Sequence, residues 1–428
     1  MRNILVLFSF LLVSLSPLGN LLAQPNADVI YCMTSPIGYG AATTGGGANG
    51  RVVHVNSVAT LRSALQASGA AIIIVTENIT FRANDRISAR VENKTLLGLN
   101  GVKLITTHRD KNGGILQLNA NSKNVIIRNL IFEGPGAYDV DGNDLLTNNG
   151  CQNLWVDHCE FYDGVDGNFD NVNGADNVSI SWCKFGYKIP ALAGGSGGSN
   201  DHRFTNLIGG NASAAPADGQ YSITFQFCYW SDGCKERMPR ARNAQLHILN
   251  CYYNTNVSGS LALGLEGGFV GGTTCYVEGT DFEKISNVYR SYVDSKEPHR
   301  DLPKTLKFVD CLKAGNPNVG VANIGEAPRP TYNYTAIPAV DVKEVVTSAC
   351  GAGATLHVTL EGVVSAASGC AGIQSPLVTI PSGTKTIKSV LYYDILGKPV
   401  TTPTQGLLIV KTMYEDGSMD INKIYRRD

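Results

Sequence analysis

Asp139, Asp141 and Asp144 fall in one short run, and Asp163, Asp166 and Asp170 in a second. Lys188 follows, and Lys235, Arg237, Arg240 and Arg242 make a basic run further on. Brought together, the carboxylates would repel one another unless a cation sat among them. A hard, oxygen-rich set suits calcium, which accepts irregular geometry and several carboxylates. The DVDGND segment at 139–144 is not an EF-hand loop, because the ligand spacing and closing Glu are absent. Aspartate also makes turns. That reading stands beside the ligand reading for Asp139, Asp141 and Asp163, whereas Asp144, Asp166 and Asp170 are read as cation ligands. The run RMPRAR at 237–242 offers guanidinium groups that bind carboxylates in a planar, two-pronged way. Ordinary surface ion pairing is the plainer role, but Pro239 stiffens the segment ahead of an apolar strand and favours display of its side chains. His158 and His247 sit in strand-like runs and are read as satisfied core or turn residues. No Ser-His-Asp order, Cys-His zinc spacing or phosphate-cradling loop stands out; TTGGG at 43–47 lacks a following Lys and helix pattern.

A repeat must position these groups. With Leu130, Cys159, Cys183, Cys228 and Cys251 in one column, Phe132, Phe161, Phe185, Trp230 and Tyr253 align two residues later. Three residues earlier stand Ile127, Val156, Ile180, Phe225 and Ile248. Five earlier stand Val125, Leu154, Val178, Ile223 and Leu246. Six earlier is a polar column of Asn124, Asn153, Asn177, Ser222 and Gln245, expected to form a turn whose amides bond along the stack. The alternation within each half is that of a strand with one buried face. The odd step of three breaks the phase, so a bend separates two short strands. The pattern predicts an all-β solenoid, a parallel β-helix, over a sandwich with chance spacing. Column spacings of 29, 24, 45 and 23 residues place loops in the longer coils. The acids and bases lie between the aromatic column of one coil and the polar column of the next. They should therefore meet on one flank.

The chain has 428 residues, too many for one ordinary globular core and suited to an elongated repeat body or several domains. Charged residues are 17% and Gly numbers 47, as suits a turn-rich β protein. A net charge of −1 argues against a bulk field for nucleic acid or a membrane surface. Residues 1–23 read as a signal peptide, with Arg2, an apolar stretch at 4–13 and Ala23 before the cut. That stretch is short of the ~20 residues needed to span a bilayer. The expected location is therefore secreted or at the cell surface. Eleven Cys remain after it. Export permits disulfides, and the pairs expected are Cys228 with Cys234 and Cys350 with Cys370. The cysteine column is read as core packing.

The chain resembles the pectate lyases of the parallel β-helix type over 24–355. The likeness rests on GYGAATTGGGANGRVVHV at 38–55, KTLLGLNG at 94–101, NVIIRNLIF at 124–132, LWVDHCEF at 154–161, VSISWCKF at 178–185 and RMPRARNAQLHILNCYY at 237–253. It implies a right-handed, single-stranded parallel β-helix and a monomer. It also implies Ca2+ as cofactor and polygalacturonate, the de-esterified pectin chain, as substrate. Asp144, Asp166 and Asp170 match the family's calcium ligands, with Asp141 a displaced candidate for one more. Arg237 matches the proton-abstracting Arg, and Arg242 an Arg that binds substrate carboxylate. Arg240 and Lys188 are further substrate-binding candidates. The reaction implied is β-elimination: a base takes the C5 proton, the C4 oxygen leaves, and no water-activating carboxylate pair is needed. Pectin lyase action on methylated substrate, a polygalacturonase on the same fold and a non-catalytic polysaccharide-binding surface protein are the alternatives.

After 355 come alternating runs at 355–362, 389–400, 406–417 and 421–427, with Gly397, Gly406 and Asp416-Gly417 as turns. They predict a small C-terminal β module over 356–428. It resembles the sorting modules of the Bacteroidetes-type secretion route, which would make the secretion machinery a partner. A carbohydrate-binding module is the alternative.

Overall fold

The computed structural model describes residues 29–47, 50–370, 387–393, 399–400, 406–414 and 419–426. The signal-peptide segment and the turn residues Gly397, Asp416 and Gly417 lie outside them.

Three parallel sheets wind into a β-helix. The first has ten strands, from Arg51–Val55 to Lys304–Val309; the second has nine, from Ile79–Phe81 to Leu312–Lys313; the third has eight, from Ile87–Ala89 to Asn287–Tyr292. Each neighbour in a sheet comes from the next coil, so like positions stack on like. The register is the one the columns imply. Val125, Leu154, Val178, Ile223 and Leu246 pair in series, as do Ile127, Val156, Ile180, Phe225 and Ile248. Phe132, Phe161, Phe185, Trp230 and Tyr253 pair across the second sheet. Their rings stack at centroid distances of 4.8, 5.3, 5.6 and 4.5 Å, within the range where aromatic pairs attract beyond their burial.

The odd step of three has a backbone cause. The residue just before the cysteine column is left-handed in every one of these coils: Asn129 at φ 57°, His158 at 48°, Trp182 at 51°, Phe227 at 52° and Asn250 at 50°. A single left-handed residue turns the chain sharply between two strands, and Asn tolerates it best. Trp182 and Phe227 hold it because their rings stack at 4.3 Å. His158 stacks on Trp182 and its Nδ1 lies 2.9 Å from Asp157 Oδ2; His247 Nδ1 lies 2.6 Å from the Tyr332 hydroxyl. Both histidines are structural.

Each column thiol is buried and donates to the carbonyl of the preceding coil. Cys159 bonds Ile127 O, Cys183 bonds Val156 O, Cys228 bonds Ile180 O and Cys251 bonds Phe225 O. Burial pushes the thiols of Cys183 and Cys251 well above their ordinary range, which keeps them protonated and inert. The expected Cys228–Cys234 disulfide does not form. Cys228 points into the stack toward Ile180, whereas Cys234 donates to Phe185 O on the second sheet. Cys350 and Cys370 do join, at 2.02 Å.

The polar column forms only part of its expected ladder. Asn124 donates to Asn93 Oδ1 at 2.7 Å, but Asn177 turns to its own neighbour Asp176. Asn124, Asn153 and Asn177 are all left-handed, a conformation that Asn tolerates in turns. The Gly-rich opening lies along the outer face of the first sheet. Thr44 N and Gly45 N donate to Asn124 Oδ1, and Gly40 N to Ser179 Oγ. Added methyl groups on Gly38 and Gly45 would collide with side chains of that sheet, and one on Gly40 with its backbone at Ser179 and Leu154. The glycines serve close packing, not a phosphate.

Helix Val58–Gln66 covers the first coils with Leu61, Ala64 and Leu65. Helix Ala339–Thr347 packs beside strands Tyr252–Asn254 and Asp281–Lys284. Residues beyond 355 continue against the body: Leu356 exchanges two hydrogen bonds with the Asn129 side chain, and Cys370 is tied to Cys350. The C-terminal runs form a four-stranded antiparallel sheet ordered 399–400, 387–393, 406–414, 419–426. Among the described residues no helix is long and apolar enough to cross a membrane.

Candidate active site

The third sheet positions the charged residues. Asp170 sits in strand Phe169–Val172, opposite Thr147 of strand Leu146–Asn149. Asp144 lies two residues ahead of that partner strand. Arg240 is in strand Arg240–Ala241, between Leu207 and Gly264. Arg237 stands just before it with φ 59°, and its carbonyl accepts from Thr205 Oγ1 and Asn206 N. These backbone bonds fix the residue at the bend.

Asp144 and Asp170 are each 7% exposed. Asp144 Oδ2 accepts from Thr147 Oγ1 at 3.0 Å, but its Oδ1 is buried without a partner. Asp170 Oδ1 accepts from Leu207 N at 2.8 Å. Burial, then repulsion from Asp166, pushes the Asp144 carboxyl up to about 7; Thr147, Arg237 and Arg86 pull the other way. Burial and the Asp144 charge push Asp170 up as well, against the pull of Arg237. Between the two lies Gly167. A methyl group there would stand 2.6 Å from Asp144 Oδ1 and 3.5 Å from Asp170 Oδ1. The missing side chain leaves a notch bordered by both carboxylates. An orphaned buried oxygen, two acids that repel and a notch between them together fit a hard divalent cation.

The structure adds a group that the sequence reading missed. Asp139 is buried, with Oδ2 accepting from Ser199 N at 2.6 Å. Its Oδ1 lies 3.3 Å from His202 Nδ1, while His202 Nε2 lies 3.5 Å from Asp166 Oδ1. One ligand atom from each of the three falls within 4.8 Å of the others. His202 comes from the loop that lengthens the coil between Cys183 and Cys228, where no column marks a position. Asp139 was legible only as one of several turn candidates. Asp163 is left-handed at φ 61° and ties its coil to the next, its Oδ1 accepting from Lys188 N and Ile189 N. Asp141 is exposed, left-handed and without a hydrogen bond or ion pair to any described residue, so the structure does not draw it into the cluster.

The basic side is organised by Glu266, another residue that the sequence reading passed over because it lies beyond the last column. It is 2% exposed, and its Oε2 lies 3.2 Å from Arg240 Nη2 and 3.3 Å from Arg242 Nη2. Arg242 also donates to Gly210 O, and Arg240 rests on the Tyr292 ring at 4.3 Å. Burial lowers the Arg242 pKa, offset by Glu266. Arg237 differs. Its guanidinium lies 4.7 Å from the centre of the Phe204 ring and has no ion pair within 4.0 Å among the described residues. Its charge nonetheless acts on Asp144, Asp170 and His202. Lys188 is exposed and its ammonium lies over the Tyr162 ring at 3.3 Å. The flank thus offers a cation notch, one unpaired guanidinium, and two guanidiniums held in place by a buried carboxylate.

A family profile described as pectate lyase matches residues 21–355. A pectate trisaccharide-lyase of Thermotoga sp. (strain RQ2) is 29% identical over 245 residues, covering 53% of this chain and 60% of that relative. A pectin lyase of Pectobacterium carotovorum is 31% identical over 235 residues, covering 52% of this chain and 68% of that relative. The solved structure of a pectate lyase from Paenibacillus sp. 0602 overlays with a TM-score of 0.57 at 16% identity, over 75% of this chain and 96% of that one. At that identity the overlay speaks for the fold alone.

Proposed function

The chain belongs to the pectate lyase family, and from that premise we propose that it is a calcium-dependent lyase that cleaves polygalacturonate by β-elimination. The observation that carries this reading is the pairing of a cation notch between Asp144 and Asp170, with the Asp166 charge beside it, and the unpaired guanidinium of Arg237 on one flank. These three aspartates would hold calcium. Bound there, calcium would neutralise the substrate carboxylate and stabilise the charge that develops next to it.

The protein's own groups do the rest. Arg242 and Arg240, held by Glu266, bind uronate carboxylates and fix the chain along the third sheet. Lys188 extends the cationic surface. Arg237 meets the C5 proton. As that proton leaves, its electron pair forms the C4–C5 double bond, the C4–O bond breaks, and the departing oxygen takes up a proton. An arginine holds its proton tightly in water. A hydroxide oriented by Arg237 would give the same products. Acidic ligands and paired arginines favour the free uronate over its methyl ester, which has no charge to bind.

Mass spectrometry of the products tests the reaction type. Elimination yields an oligogalacturonide lighter by one water than the hydrolysis product, and hydrolysis products alone would refute it. Export by the leader at 1–23, action as a monomer outside the cell and sorting through the C-terminal sheet belong to the same proposal. Finding the C-terminal peptides on the mature secreted protein would count against cleaved sorting.

A further inference from the structure

We propose that His202, Asp166 and Asp139 form a second metal seat, which takes a nitrogen-accepting divalent cation such as Zn2+ and shares Asp166 with the notch over Gly167. The His202 side chain is 7% exposed and neither ring nitrogen has a hydrogen bond, although each faces a carboxylate. A buried imidazole without partners is costly, and the contacts around it show what would satisfy it. Nε2 is 3.5 Å from Asp166 Oδ1. Two zinc ligands at ~2.0–2.2 Å and a tetrahedral angle lie roughly 3.4 Å apart, so this spacing is that of two donors sharing one ion. Nδ1 faces Asp139 at 3.3 Å. Asp139 would accept the Nδ1 proton and turn the Nε2 lone pair to the metal, the carboxylate–histidine–metal arrangement of many sites.

The support behind the triad is rigid. Asp139 is gripped by Ser199 N and its carbonyl by Gly197 N. The Phe204 ring lies 4.1 Å from the imidazole and 4.7 Å from the Arg237 guanidinium. Imidazole suits zinc and its neighbours, whereas calcium takes oxygen donors. The chemistry of the two seats therefore differs although Asp166 borders both. The inference adds to the lyase reading without requiring it.

The test is a calorimetric titration of the chelator-stripped full chain with ZnCl2 alone. The expected result is one Zn2+ per chain. His202→Ala should weaken it at least ~10-fold and Asp139→Asn ~10–100-fold, while Asp144→Asn should keep zinc and lose calcium affinity. No zinc binding to the wild type, or equal binding to His202→Ala, would overturn the proposal. Should His202→Ala fail to fold, zinc-soaked wild-type crystals decide the matter. An anomalous peak within bonding distance of His202 Nε2 supports the site, and its absence there refutes it. Polygalacturonate cleavage without zinc binding would sink this inference alone; zinc binding without cleavage would sink the lyase reading alone.

Discussion

The inside of a coil and its charged flank use the same stacking to opposite effect. Inside, like on like is favourable: Phe132, Phe161, Phe185, Trp230 and Tyr253 pile ring on ring, and each thiol finds the carbonyl of the coil before it. On the flank, like on like is a cost. Asp144 comes from one coil and Asp166 and Asp170 from the next, and burial with the neighbouring carboxylates raises the proton affinity of Asp144 and Asp170. The interior is complete as it stands. The flank carries an orphaned carboxylate oxygen and mutual repulsion, which an added positive charge would relieve.

The comparison breaks most sharply at Arg237. Arg237→Lys should lower turnover by ~10²–10⁴-fold with an unchanged melting curve, because the guanidinium has no ion pair to lose among the described residues. Near-normal steady-state rates would refute its role. Phe161→Ala should do the reverse. It removes a ring stacked on both sides, costs roughly 3–5 kcal/mol of stability, and leaves the specific activity of the folded fraction intact. Denaturant melts paired with activity assays check this.

Removing the cation isolates the cost of the flank. The Asp144 carboxyl at about 7 lies above the ~3.9 of an unfolded aspartate, so between those values the folded state holds more protons. The stability that this group contributes is present below about pH 4 and lost as pH rises through about 7. In chelator, melting temperature should therefore fall from about pH 5 to about pH 8, with a shallower slope in Asp144→Asn. Equal slopes would show that Asp144 is not the group. Adding calcium at the higher pH should restore the loss. The smallest effect belongs to the thiols. Cys183→Ala should cost roughly 1 kcal/mol and leave turnover untouched; loss of turnover in a folded variant would mean that the column does chemistry after all.

The interior was the legible half. A period-two alternation broken by an odd step leaves a mark at every coil, and the pairing reproduces it residue by residue. The flank was legible where it leans on that register, as at Asp144, Asp170, Arg237 and Arg242. It was not where a residue arrives from a loop or meets its partner only through space. His202 hangs in the long insertion, Glu266 lies past the last column, and Asp139 looks like any turn aspartate until Ser199 closes on it. The Cys228–Cys234 pairing failed for a related reason: nearness in sequence says nothing about which way two thiols point.

The central claim is that this flank performs a cation-assisted elimination. Its most direct test is to mix the purified protein with polygalacturonate and follow ultraviolet absorbance of the new double bond, first with calcium and then with excess chelator. The account predicts a rise that chelator abolishes and added calcium restores. A folded protein that gives no rise at any calcium concentration would contradict it.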